Sequence, residues 1–192
     1  MGASEWIGPV LVAWSERSGR GARSETGRRL LAELIGEIAP GSDPTVVRAC
    51  PRCGGTDHGP PRADGAPVVL SLSYAADVVV AAAAPSGSVA ALGVDAEPER
   101  PGPLADLAPL FAPADPPDVR TWTMIEAVVK ADGRGLRIPP GDVRFRAPRT
   151  TTRLEGADIA TLPATCGTFE VAPAPAPPGI AASVAIRRAR PR

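Results

Sequence analysis

The sequence predicts an α+β fold of two similar lobes. Two amphipathic helix patterns, at 28–38 and 119–132, lie far apart in the chain. Each is preceded by a strand-like run and followed by several more. Reading strand, helix, strands twice puts the division near residue 90. The lobes then cover 1–90 and 91–186, and 187–192 is a basic, solvated tail.

The elements follow in chain order. Residues 6–14 are mostly apolar and read as one opening strand. In 28–38, Leu30, Leu31, Leu34, Ile35 and Ile38 share a helix face, and Pro40 ends the run. A short strand at 45–47 leads into a cysteine- and glycine-bearing loop that runs through His58 to Arg62. Strands at 68–73 and 77–83 join tightly at Tyr74-Ala75-Ala76, and 89–95 is another strand. A proline-rich connection over 98–117 precedes the 119–132 helix, which Gly133 and Gly135 stop. Strands near 142–146, 167–171 and 180–186 complete the chain.

Composition narrows the function classes. The 192 residues carry a formal net charge of +0, so no global field gathers nucleic acid or an anionic membrane. No apolar run approaches the ~20 residues of a spanning helix. The first residues lack the basic-then-apolar order of a secretory signal. Three cysteines make no disulfide framework and fit a reducing cytoplasm. Two lobes in one chain are expected to work as a monomer.

Of 21 lysines and arginines, Lys130 alone is a lysine, which marks a place needing a compact ammonium. It lies one helical turn beyond Glu126. Asp95 and Glu97 are two apart on a strand, so their side chains leave one face. Like charges that close repel by about 4 kcal/mol at ~4 Å and an effective dielectric near 20. A divalent cation relieves this, and oxygen ligands shared with phosphates suit magnesium. Each piece also has a plain reading. Glu126 and Lys130 could be a surface pair worth ~0.2–0.5 kcal/mol, and Thr123 with Glu126 could be a capping box. The ordered combination favours the metal and phosphate site.

Those segments, Gly93-Val94-Asp95-Ala96-Glu97 and Trp122-Thr123-Met124-Ile125-Glu126-Ala127-Val128-Val129-Lys130, continuing to Gly133-Arg134-Gly135-Leu136, resemble the two signature motifs of the Sfp-type 4'-phosphopantetheinyl transferases. His58-Gly59-Pro60-Pro61 and Leu72-Ser73-Tyr74-Ala75 resemble two further motifs of that family, in the same order, and the likeness runs from about Arg28 onward. The resemblance implies two lobes related by a pseudo-twofold axis, with coenzyme A bound between them. It implies transfer of the phosphopantetheine arm to a serine of an apo acyl or peptidyl carrier protein of polyketide, nonribosomal peptide or fatty acid synthesis, with release of adenosine 3',5'-bisphosphate. By the same analogy Asp95, Glu97 and Glu126 hold Mg2+, Glu126 accepts the serine proton and Lys130 stabilises the leaving phosphate. Arg28, Arg62, Ser73 and Tyr74 contact the coenzyme.

The chain departs from the family pattern in four places. Tyr74 replaces a histidine, Pro60 a basic residue and Ile125 a lysine, while Arg17, Arg20 and Arg23 are the only substitutes for a basic stretch before the first helix. Each charged hydrogen bond lost is worth about 1.5–3 kcal/mol, so a relative that binds coenzyme or carrier without transfer is the alternative. Cys50, Cys53 and His58, with Cys166 as a fourth, offer zinc ligands. Lacking a second C-x-x-C, the sequence favours a glycine-turned loop with small buried cysteines. No helix follows the pair, as a redox motif would require. Trp122 is expected in the core.

Overall fold

The computed structural model describes residues 3–16, 22–50, 52–100, 107–165 and 167–190. Arg17, Arg20, Cys166 and the 101–106 part of the proline-rich connection lie outside them, as does the Arg23 side chain.

The fold is α+β. Strands β1 (Ala3–Ile7), β2 (Val10–Glu16), β5 (Val68–Ala75) and β6 (Val78–Pro85) form an antiparallel sheet in the order β1-β2-β6-β5. Strands β7 (Val89–Pro98), β8 (Arg144–Arg146), β9 (Asp158–Thr161), β10 (Phe169–Pro173) and β11 (Ile180–Arg188) form a second, ordered β7-β11-β10-β9-β8. The remaining two, β3 (Asp43–Arg48) and β4 (Pro61–Gly65), pair as a hairpin. Helix α1 (Ala22–Ile38) packs on the first sheet, and α3 (Val119–Asp132) on the second. A single turn, α2 (Ala108–Phe111), lies in the connection before α3.

Strand alternation organises these parts into layers. Val10 and Val12 on β2, with Val80, Ala82 and Ala84 on β6, meet Leu92, Val94, Val184 and Ile186 of the second sheet in a core between the sheets. The intervening residues Leu11, Ala13, Val79, Ala81 and Ala83 face Leu30, Leu31, Leu34 and Ile35 of α1. On the far side, Trp122, Ile125, Val128 and Val129 of α3 cover Phe169, Val171 and Ala185. The order is helix, sheet, sheet, helix.

Two edge strands, β5 and β7, join the sheets through side chains. Ser71 and Ser73 are two apart on β5, and their hydroxyl oxygens accept from the amides of Val94 (2.9 Å) and Ala96 (3.3 Å), two apart on β7. These amides point away from β11, and the serines satisfy donors that burial would otherwise leave unpaired.

Several sequence expectations need correction. The 6–14 run is a hairpin, broken at Gly8, whose φ of 55° and close approach to the Arg153 carbonyl (2.0 Å from a Cβ there) only glycine tolerates. Strands β4 and β9 were not expected. The basic tail begins later than residue 187, because β11 continues through Arg188, which pairs with buried Glu170. Arg187 lies over the Phe169 ring. The capping box is absent: Asp118 caps α3 by accepting from the Thr121 amide at 2.7 Å. Thr123 is buried instead, bonded to the Arg120 carbonyl and to Ser183 on β11.

Candidate functional site

The site begins with Gly93. A Cβ there would lie 1.9 Å from the Ala127 carbonyl oxygen and 2.7 Å from the Ala131 amide. Only a residue without a side chain lets α3 lie directly on β7. Asp95 and Glu97 follow at two-residue steps on the same side of the strand, toward α3. The helix ends cleanly at Gly133, in the left-handed region, which donates to Val129. This sets Lys130 in the last turn, where a cation is favoured.

Lys130 spends all three of its donors. Its Nζ donates to Asp95 Oδ1 at 2.6 Å, Ser73 Oγ at 3.0 Å and the Val94 carbonyl at 3.1 Å. A planar guanidinium could not meet three acceptors arranged around one nitrogen, which accounts for the solitary lysine. Ser73 donates its own proton to Asp95 Oδ1 at 2.9 Å. Asp95 is 2% exposed, and its second oxygen, Oδ2, is buried without a hydrogen-bond partner.

The other two carboxylates share this field. Burial first, then the charges of Asp95 and Glu97, push the Glu126 carboxyl up to about 7, against the pull of Lys130. Burial and Asp95 likewise raise Glu97, opposed by Lys130 and by a hydrogen bond from Trp122. One ammonium therefore faces three carboxyl groups. Excess negative charge together with an orphaned buried oxygen is what a bound divalent cation would relieve, and carboxylate oxygens are the donor type that magnesium takes. The three are close enough to perturb one another, yet their oxygens do not all lie within 4.8 Å. Among the described residues, the group of three that meets that spacing is Cys50, Cys53 and His58.

No protein-family model matches this chain, and no curated protein matches it at a significant level.

A cleft of about 290 Å³ opens beside Lys130, lined also by Arg48, Gly59, Pro60, Pro61, Ser71, Tyr74, Gly133 and Gly135. The structure sorts the remaining expected residues around it. Tyr74 lines the cleft, with its hydroxyl 2.9 Å from where a Cβ on Gly27 of α1 would sit. Ser73 is buried, donates to Asp95 and accepts from Lys130, so it orients the carboxylate. Arg28 lies in a neighbouring depression with Arg48 and Asp57. Arg62 is exposed on β4 in another depression, which shares Pro60 and Pro61 with the cleft. Ile125 is 4% exposed in the core under α3, so that departure from the family pattern is a packing position. Trp122 is buried as expected, edge-on to Phe111 at 6.0 Å.

Sequence reasoning missed Arg48 and Ser71. Among the described residues, Arg48 is the one arginine lining the cleft, held by a 2.8 Å bond to the Gly59 carbonyl, and its signal was a cation at the mouth of the cysteine loop. Ser71 carried no signal beyond alternating with Ser73. The cysteines also differ from expectation, since Cys50 is half-buried and Cys53 exposed. Amide hydrogen bonds from Arg52 and Cys53 pull the Cys50 thiol down to about 7, and Asp57 raises His58 by accepting its ring proton. A larger depression of about 580 Å³ on the second sheet is lined by Arg187, Arg188 and Arg190, but it lies away from the three carboxyl groups and Lys130. No described helix is long and apolar enough to cross a membrane.

Proposed function

We propose that this chain transfers the 4'-phosphopantetheine arm of coenzyme A to a serine of an apo acyl or peptidyl carrier protein, releasing adenosine 3',5'-bisphosphate. The observation that carries this reading is the meeting of Asp95, Glu97, Glu126 and Lys130 where α3 crosses β7, beside an open cleft. The reading includes a two-lobe arrangement with a pseudo-twofold axis, supported by one helix packed across each main sheet.

The chemistry is displacement at phosphorus. The serine oxygen forms a new bond to the phosphorus nearest the pantetheine, and the bond from that phosphorus to the bridging oxygen breaks. Magnesium held by Asp95, Glu97 and Glu126 would supply positive charge to the pyrophosphate. Without an ion, burial holds the Glu126 carboxyl up near 7; a bound cation would pull it down and leave a carboxylate placed to take the serine proton. Lys130 holds Asp95 in place and puts its charge at the cleft wall, where a departing phosphate gains from it. Arg48 and Tyr74 are the cleft's coenzyme contacts, the arginine suited to a phosphate group. The cleft is at the small end for a ligand site, and the depressions on either side of the 59–61 loop extend it.

A second reading, a relative that binds coenzyme or carrier without transfer, is favoured by one observation: every Lys130 donor is already engaged. Chromatography of the nucleotide products separates the two. Adenosine 3',5'-bisphosphate formed only when apo carrier protein is present supports the transferase, and binding of both partners with no such product supports the second reading.

A further inference from the structure

We propose that Cys50, Cys53 and His58 bind one zinc ion whose task is structural, closing the β3–β4 loop that walls the cleft beside Lys130. The three ligand atoms lie within 4.8 Å of one another. Cys53 Sγ and His58 Nε2 are 3.3 Å apart. A tetrahedral site with Zn–S of ~2.3 Å and Zn–N of ~2.0 Å needs about 3.5 Å between those atoms, so the ligands need only a small outward shift to take the metal.

The surroundings are built for that ligand set. His58 Nδ1 lies 2.6 Å from Asp57 Oδ1, which fixes the ring proton on Nδ1 and leaves the Nε2 lone pair aimed at the cysteines. The Gly55 amide donates to Cys53 Sγ at 3.4 Å, and the Cys50 amide donates to the Gly55 carbonyl at 2.9 Å, turning the backbone around the sulfurs. Gly55 has no room for a side chain, since a Cβ would sit 2.9 Å from His58 Cε1 and 3.3 Å from Cys53 Sγ. At Gly59, φ is 99° and a Cβ would meet the Ala49 and Cys50 backbone at 2.9 Å, so the chain returns to its starting point only with glycine there. Two thiols and an imidazole select zinc over magnesium or calcium.

Location gives the metal its task. The loop leaves β3 at Arg48 and re-enters β4 at Pro61, the last paired residues of the hairpin. Within it, Gly59 and Pro60 line the Lys130 cleft, while Thr56 and Asp57 line the depression holding Arg28. Fixing residues 50, 53 and 58 to one ion removes the freedom of both walls at once. The metal site itself needs nothing from the transferase reading.

The test is metal content of the purified full chain, followed by cobalt replacement. One zinc per chain is expected, with cobalt giving a thiolate charge-transfer band and the strong visible bands of a tetrahedral site. Cys53→Ser should lose the metal, and Asp57→Asn, which keeps every ligand, should weaken binding about 10- to 100-fold. Zinc below a tenth per chain with no cobalt charge-transfer band overturns the proposal, as does zinc retained equally by Cys53→Ser. Loss of metal is read independently of transfer, so this site and the catalytic reading fail separately.

Discussion

Replacing Glu126 with glutamine tests the electrostatics of the site before any turnover is measured. The carboxyl moves from an ordinary 4.5 to about 7 in the folded chain, chiefly through burial and the nearby Asp95. The folded state therefore holds this proton more tightly than the unfolded state. That stability is fully present below 4.5 and is lost as pH rises through about 7. The full shift corresponds to about 3 kcal/mol, and the partial exposure of Glu126 reduces the expectation to about 1–3 kcal/mol. Glutamine imitates the protonated form at every pH. Without magnesium, Glu126→Gln should match the parent near pH 4.5 and be more stable by about 1–3 kcal/mol at pH 8. Denaturant titrations at the two pH values measure the difference, and added magnesium should narrow it by stabilising the parent. A variant equally destabilised at both pH values would refute the reasoning.

Other substitutions probe the same geometry. Gly93→Ala drives a methyl into the Ala127 carbonyl, so thermal melts should show a loss of about 3 kcal/mol or more as α3 lifts from β7. Lys130→Ala leaves Asp95 buried without its counter-charge, so it should cost about 3 kcal/mol in denaturant as well as abolish transfer. Arg48→Ala should weaken coenzyme binding about tenfold or more by calorimetry.

Much of this was legible in the sequence because helix α3 and strand β7 announce themselves. The α3 pattern runs unbroken from 119 to 132 between a capping aspartate and a glycine, and both limits match the structure. Strand β4 escaped because Pro-Arg-Ala-Asp-Gly has no apolar alternation; it is held by pairing with β3, a long-range fact that local pattern does not carry. The β1–β2 hairpin was hidden because Gly8-Pro9 interrupts an apolar run on both sides. At the site, spacing put Glu126 and Lys130 one helical turn apart, and Asp95 with Glu97 on one strand face. That Lys130 reaches Asp95 depends on the close approach at Gly93, which only the packed chain reveals. The serine link between β5 and β7 likewise depends on two strands from different sheets lying edge to edge.

Intact mass of the acceptor tests the central claim most directly. Apo carrier protein incubated with this chain, coenzyme A and magnesium should gain the mass of one phosphopantetheine arm on its serine, and Glu126→Gln should yield no gain. An unchanged carrier mass, with coenzyme and carrier both bound by the folded chain, would contradict the account, as would an undiminished gain from Glu126→Gln.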